Sequence, residues 1–316
     1  MKKNEKFVLL VILMVCLVFL FSVSYFFYLD KKGERVYFTV DPGMKTREIS
    51  FRLENEKLIP NSFCFLFWTK IFSLEKKIKA GTYQLEYSFS ALPILRTLIE
   101  GKSVSLKVTI PEGLESGQVA AVLEEKIFIS AGKFLSLVKE RQVEGFLFPN
   151  SYFFPPHYPE EKVLETMLNQ FVREFNPQFV KRAEELRLSK KEIITLASLI
   201  EKEAAKDEER PYISAVFHNR LKKRMFLESC ATVQYALGGH RRQLSYQDLK
   251  VDSPYNTYTH LGLPPGPICN PGLASLKAAL YPAQTDDLFF VSQGNGWHYF
   301  SRYYNQHLKN KQLRKK

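Results

Sequence analysis

Glu201 and Glu203 are the residues of this chain whose type and spacing bear most directly on chemistry. A carboxyl group kept protonated by an apolar setting gives its proton to a leaving group and, once ionised, takes one back. When water is the nucleophile, glycosidic cleavage takes two carboxyl groups facing one bond. Both residues lie in Ser189-Lys-Lys-Glu-Ile-Ile-Thr-Leu-Ala-Ser-Leu-Ile-Glu-Lys-Glu-Ala204. The stretch reads as one long helix, with Ser189 as N-cap and Glu192 completing a capping box. At roughly 100° per residue, Ile193, Leu196, Ala197, Ile200 and Ala204 form one apolar stripe. Glu203 falls about 80° to one side of its centre and Glu201 about 80° to the other, with Lys202 pointing away. Divergence of about 160° keeps them from acting as a pair on one bond. Periodicity does not choose between them, and a boundary salt bridge is the competing role for each.

The elements that must position these carboxylates follow from pattern and punctuation. Helices are expected over Glu160–Glu174, Pro177–Leu186, about Tyr212–Lys223 and Leu273–Leu280. Strands are expected at Leu288–Ser292 and His298–Ser301, joined by Gly294-Asn-Gly296. Between them lies the densest turn chemistry, Pro254-Tyr-Asn-Thr-Tyr258, Gly262-Leu-Pro-Pro-Gly-Pro-Ile268 and Asn270-Pro-Gly272. Prolines fix φ there and remove donors, and a rigid polar and aromatic loop on a scaffold is a usual place for a binding site. Glu144-Gly-Phe-Leu-Phe-Pro-Asn-Ser-Tyr-Phe-Phe-Pro155 reads as an aromatic loop.

Residues 36–129 contain an internal repeat. Phe38-Thr-Val-Asp-Pro-Gly43 matches Val108-Thr-Ile-Pro-Glu-Gly113, and the offset continues through Ile49/Val119, Leu53/Leu123, Glu54/Glu124 and Ile59/Ile129. Each copy reads as a strand, a glycine turn and an amphipathic helix. Between the copies lie Lys79-Ala-Gly-Thr-Tyr-Gln84, entering a strand, and a helix over Ala91–Glu100 stopped by Gly101. Strand–helix–helix–strand modules of this size bind glycans or serve as spacers.

Phe7 to Tyr28 is an uncharged run that, as a helix of about 33 Å, spans a bilayer core of about 30 Å. It is too long for a signal peptide's apolar core and no Ala-x-Ala site follows, so it reads as a retained anchor. Residues 1–6 then form a cytoplasmic tail, and the body lies outside the cytoplasm. The net charge of +12 favours anionic partners such as lipid or a cell-wall polymer. No basic stripe with interleaved aromatics is present, which argues against nucleic acid. The four cysteines, Cys16, Cys64, Cys230 and Cys269, have no zinc-ligand spacing and suggest no disulfide framework. Neither a metal site nor a cofactor is expected.

Taken together, Leu196-Ala-Ser-Leu-Ile-Glu-Lys-Glu203, Phe217–Leu221, Tyr255-Asn-Thr-Tyr258, Gly262–Ile268, Asn270-Pro-Gly272, Phe289-Phe-Val291 and His298-Tyr-Phe300 resemble the endolytic murein transglycosylases, the YceG-like family. Lys79-Ala-Gly-Thr-Tyr83 and Gly145-Phe-Leu-Phe-Pro149 extend the resemblance upstream. It implies an α+β protein: a transmembrane helix at 7–28, a LysM-like module at 36–104 and a mainly helical catalytic domain at 105–316 with a small β element and a second strand–helix repeat at 108–129. It implies an inner-membrane enzyme that cleaves the MurNAc-β-1,4-GlcNAc bond of nascent peptidoglycan strands to leave 1,6-anhydro ends. Of the two carboxylates, it points to Glu203 as catalytic. Asn219, Gln234, Tyr255, Asn256, Thr257 and Tyr258 are the expected sugar-holding residues, and peptidoglycan synthases are candidate partners. Two departures stand out: relatives commonly carry Thr at the position of Ala204, and Asp-Pro at Cys230-Ala231. The second departure motivates the alternative of a non-catalytic, membrane-anchored peptidoglycan-binding or scaffold protein.

Overall fold

The turns shared by the two repeat copies place a glycine where the backbone turns left-handed, Gly43 at φ +83° and Gly113 at φ +78°, a conformation glycine adopts at no steric cost. Each turn delivers the chain from a strand into a helix. The computed structural model describes Met14, Leu17 and residues 35–88, 90–239, 241 and 244–313. The chain divides into two compact units, Met1–Leu106 and Lys107–Lys316. Apart from Met14 and Leu17, the expected anchor lies outside the described residues, among which no helix is long and apolar enough to cross a membrane.

In the first unit β1 (Arg35–Val40) leads to α1 (Thr46–Asn55) and α2 (Ser62–Ile71), then to β2 (Gly81–Glu86) and α3 (Ala91–Glu100). β1 and β2 pair antiparallel, Arg35 opposite Glu86 and Val40 opposite Gly81. Alternation along the strands sends Phe38, Val40, Tyr83 and Leu85 inward, where Ile49, Leu53, Phe65 and Leu95 from the helices meet them. Gly101, at φ +73°, ends α3 as its left-handed C-cap.

A second copy follows: β3 (Leu106–Ile110), α4 (Ser116–Ile127), α5 (Ala131–Arg141) and β4 (Asn150–Phe154), with β3 paired to β4. The repeat is therefore longer than the sequence match suggested, and the end of the expected aromatic loop is the strand that closes it. Corresponding hydrogen bonds fix the alignment. Glu54 accepts from Ser62 N and Glu124 from Ala131 N, both at 3.2 Å. Tyr83 donates to the carbonyl of Lys79 at 2.7 Å and Tyr152 to that of Phe148 at 2.5 Å. Ser88 N reaches Leu58 O at 2.9 Å and His157 N reaches Ile127 O at 2.7 Å. The copies stand 70 residues apart up to Glu54 and Glu124, and 69 apart from Leu58 and Ile127 onward. Ile59 and Ile129 are therefore not equivalent positions, because the second copy lacks one residue between Glu124 and Ile127, at the end of its first helix.

The rest of the second unit is mainly helical: α6 (Glu160–Glu174), α7 (Pro177–Glu185), α8 (Lys190–Glu203), α9 (Arg210–Lys222), α10 (Cys230–Ala236), α11 (Leu273–Leu280) and α12 (Tyr304–Leu313), with the antiparallel pair β5 (Phe289–Ser292) and β6 (His298–Ser301). α8 is the axis. Its capping box is formed, Ser189 Oγ accepting from Glu192 N and Glu192 Oε2 accepting from Ser189 N, a device that stabilises a helix by about 1 kcal/mol. Every residue from Ile193 to Ile200 is buried, against α7, α9, α10 and α11. The helix is thus enclosed on all sides rather than along one stripe. Thr195 and Ser198 are accommodated because their hydroxyls donate to the carbonyls of Lys191 and Thr195. Each fully buried Ile or Leu contributes about 2 kcal/mol.

Candidate active site

The last turn of α8 carries both carboxylates, and their surroundings differ completely. Glu201 is buried, with a side chain 6% exposed, and pairs with Arg210 at 3.2 Å. Its other oxygen accepts from Gly272 N at 2.9 Å. Arg210 also binds Asp207 Oδ1 at 2.8 Å and Ser275 Oγ. Glu201 therefore joins α8 to the start of α9 and the start of α11. A Cβ on Gly272 would overlap the Glu112 carboxylate, which would have to swing aside. The neighbouring Asn270 is fully buried and receives Gly113 N on its carbonyl at 2.9 Å. It also gives its amide to Leu114 O at 2.9 Å and accepts Leu147 N at 2.8 Å. The Asn270-Pro-Gly272 loop thereby fastens the second repeat copy to α8.

Glu203 points elsewhere. Its Oε1 accepts the Ser229 hydroxyl proton at 2.5 Å, and the Ala231 amide also hydrogen-bonds the carboxyl group. Both donors come from the start of α10. Ser229 is the N-cap of that helix, yet its hydroxyl makes no cap bond. Its amide donates to Thr257 Oγ1 at 3.0 Å, and its carbonyl accepts from Thr232 Oγ1 at 2.8 Å. Thr232 and Thr257 hydroxyls lie 2.9 Å apart. With its proton spent on Ser229, Thr232 accepts the one from Thr257, and the loop closes on itself. Burial deep among protein atoms pushes the Glu203 carboxyl above the ordinary carboxylate range. Ser229, His298 and the Ala231 amide pull it back only in part. The residue nonetheless keeps some solvent access.

That access comes from two sides. A cavity of about 540 Å³ is lined by Glu203, Cys230, Gln234, Tyr235, Gln118 of α4 and Glu115, the N-cap of that helix. Another, of about 440 Å³, is lined by Glu203, Cys230, Tyr258, His298 and the α12 residues His307 and Lys311. Glu203 and Cys230 belong to both, so the carboxyl group stands where two recesses meet. Among the described residues, no group of His, Cys, Asp and Glu is arranged to hold a metal ion.

The expected sugar-holding residues separate into groups. Gln234 lines the first recess, its amide 3.4 Å from Arg241 O. Tyr258 lines the second, its hydroxyl 3.1 Å from Cys230 Sγ. Tyr255 meets Tyr235 at a 49° tilt with ring centroids 4.9 Å apart, and lines a third cavity of about 520 Å³ that Tyr235 shares with the first. Asn219, Asn256 and Thr257 line neither of the recesses that Glu203 shares. Asn219 donates to the carbonyls of Thr285 and Asp287 at 2.8 and 3.0 Å. Asn256 is fully buried, donating to Leu249 O and Val251 O and accepting from Tyr258 N. Thr257 acts on the site through Ser229.

Sequence reasoning missed Ser229, His298 and the lining from α4 and α12. His298 is held from behind by Glu209, which accepts its Nδ1 at 2.8 Å and its backbone N–H at 2.7 Å. No spacing links Glu203 to Ser229, although Ser229 does stand beside the Cys230-Ala231 departure.

The YceG-like family profile matches residues 38–313. The endolytic murein transglycosylase of Bacillus subtilis is 31% identical over 303 residues, covering 86% of this chain and 83% of that protein. The endolytic murein transglycosylase of Streptococcus pneumoniae is 30% identical, and the match covers 80% of this chain but only 53% of the longer relative. A crystal structure of a yceG-like protein from Listeria monocytogenes superposes with a TM-score of 0.60 at 33% identity, over 87% of this chain and 98% of that one. The chain belongs to the YceG-like family.

Proposed function

We propose that this chain is a membrane-anchored endolytic lytic transglycosylase, a lyase acting on peptidoglycan strands outside the cytoplasm, with Glu203 as its acid and base. The observation that carries the proposal is the placement of Glu203. It is one carboxyl group, raised above its ordinary pKa and open to two recesses, while Glu201 is consumed by Arg210 and Gly272. The peptidoglycan substrate and the reaction class rest on what the curated relatives are named for.

A single carboxyl group suits this chemistry. Protonated Glu203 gives its proton to the glycosidic oxygen of a MurNAc-β-1,4-GlcNAc bond as the C1–O bond breaks, the bonding pair leaving with oxygen. The positive charge left at C1 is shared with the ring oxygen or the substrate's 2-acetamido group. The ionised Glu203 then takes the proton of the C6 hydroxyl as that oxygen attacks C1, which closes the 1,6-anhydro ring and returns the carboxyl group to its starting state. No water is consumed, so the second carboxylate of a hydrolase has no task. Recesses on both sides of Glu203 suit an endolytic cut, with sugars bound on either side of the broken bond.

The test is product analysis by mass spectrometry on purified glycan strands. The chain should release 1,6-anhydro-ended fragments and Glu203→Gln should not. Undiminished anhydro product from Glu203→Gln would remove the role from Glu203. Strand binding without cleavage by the unmodified chain would favour a scaffold role, the reading that the Cys230-Ala231 departure motivates.

A further inference from the structure

α2 has the sequence Ser62-Phe-Cys-Phe-Leu-Phe-Trp-Thr-Lys-Ile71, and only Ser62, Phe65 and Thr69 of it are buried. The opposite face is apolar too. At roughly 100° per residue, Phe67 and Ile71 follow Phe63 at about 40° and 80° around the helix, so the three share one face. They are 70%, 47% and 54% exposed, and Phe72 just beyond is 52% exposed. The rings form a ladder: Phe63 stacks on Phe67 at 6.5 Å, Phe67 meets Trp68 edge-on at 5.4 Å, and Trp68 stacks on Phe72 at 5.5 Å. Lys70 borders the face, and Lys76 and Lys77 follow it, all exposed, with Glu75 beside them. An exposed apolar helix face this continuous, fringed by lysines, has the character of a surface that enters a lipid headgroup region.

The distance along the chain selects the occupant. If Phe7–Tyr28 crosses a bilayer, only residues 29–34 separate it from Arg35 at the start of β1. Even fully extended, that tether covers at most roughly 25 Å. The first unit is then held at the membrane surface whatever its orientation. A lysine's long apolar stem lies along buried rings while its ammonium group reaches the lipid phosphates. We infer that the outer face of α2, built on Phe63, Phe67 and Ile71, docks on an anionic lipid surface beside the anchor. The inference rests on the anchor assigned above to Phe7–Tyr28.

Trp68 and Trp297 are the only tryptophans of the chain, so Trp297→Phe leaves Trp68 as the single reporter and the anchor itself silent. The full chain carrying that substitution is reconstituted into vesicles of phosphatidylglycerol and phosphatidylcholine, and compared with vesicles whose phosphatidylcholine carries bromine on its acyl chains. Flotation of the vesicles is read in parallel. The docked face predicts bromine quenching of Trp68 in chains that float. Adding Phe63→Ser, Phe67→Ser and Ile71→Ser should abolish that quenching while flotation and the thermal unfolding transition remain. Chains that float with unquenched Trp68 overturn the docking and leave the anchor standing. Chains that do not float overturn the anchor and the tethered docking with it. Trp68 emission that responds to added glycan strands, or to protein density on the vesicle, but not to bromine, overturns the inference in favour of a carbohydrate or a second copy of this chain.

Discussion

Ser229 gives its hydroxyl proton to Glu203 at 2.5 Å instead of capping the helix it begins. This one bond ties the start of α10 to the end of α8 and lowers the proton affinity of the proposed catalytic group. A serine hydroxyl stabilises the ionised form of a carboxyl partner, while burial favours the neutral form. For Glu203 burial is the larger influence, so the acid form persists above the ordinary carboxylate range.

Removing the Glu203 proton donor by Glu203→Gln should lower the rate of anhydro-product release by about 10²–10⁴-fold, the usual contribution of general acid–base catalysis. The helix should remain folded, because an amide fills the same space. The same substitution tests the electrostatics. A carboxyl group whose folded pKa is raised binds more protons folded than unfolded, so it subtracts stability as pH rises from the unfolded value through the folded one. The melting temperature of Glu203→Gln relative to the unmodified chain should therefore rise with pH across that window and flatten below it.

Ser229→Ala should move the pH profile rather than erase activity. Without the hydroxyl donor the Glu203 proton is held more tightly, and the acid form survives to higher pH. The alkaline limb of kcat/KM for strand cleavage should shift upward, and circular dichroism should show an unchanged helix content, since the lost hydroxyl made no cap bond.

Glu201→Gln should act on stability. It leaves the buried Arg210 guanidinium ion-paired only with the exposed Asp207, with the Glu112 carboxylate as its other nearby negative group, and breaking a buried pair from one side costs about 3 kcal/mol or more. The urea midpoint should fall. Rates measured on the folded fraction at low temperature should stay within a few-fold of normal, in contrast to Glu203→Gln.

Cys230 lies on the wall of both recesses, and its thiol is held above its ordinary pKa by burial and by the charge of Glu203, with Tyr258 opposing. The thiolate is the reactive species. Iodoacetamide at neutral pH should therefore modify Cys230 slowly despite its surface exposure, accelerating as pH is raised. Peptide mapping over a pH series checks this, and fast labelling near neutrality would contradict it.

Several parts of this protein were legible from residues alone. Ser189 and Glu192 announce the start of α8, and the hairpin at Gly294-Asn-Gly296 follows from turn chemistry, because caps and turns are decided within a few residues. The resemblance carried the family through motifs spread over most of the chain. Residue order also exposed half of the repeat, where Asp41-Pro-Gly43 and Pro111-Glu-Gly113 still match. It hid the other half, where Lys79-Ala-Gly-Thr-Tyr83 and Phe148-Pro-Asn-Ser-Tyr152 share a tyrosine-to-carbonyl bond but little sequence.

What helical periodicity could not decide was the choice between two glutamates placed symmetrically about one apolar stripe. Helical periodicity gives direction from the axis and says nothing about what waits there. Tertiary structure brings Arg210 and Gly272 to one side, where both oxygens of Glu201 are taken up by those partners. It brings Ser229, Cys230 and two open recesses to the other, where Glu203 is desolvated and accessible. Those partners arrive from loops and helices that begin up to 71 residues away in the chain, so only the folded arrangement of α8 among its neighbours separates the structural carboxylate from the one available for chemistry.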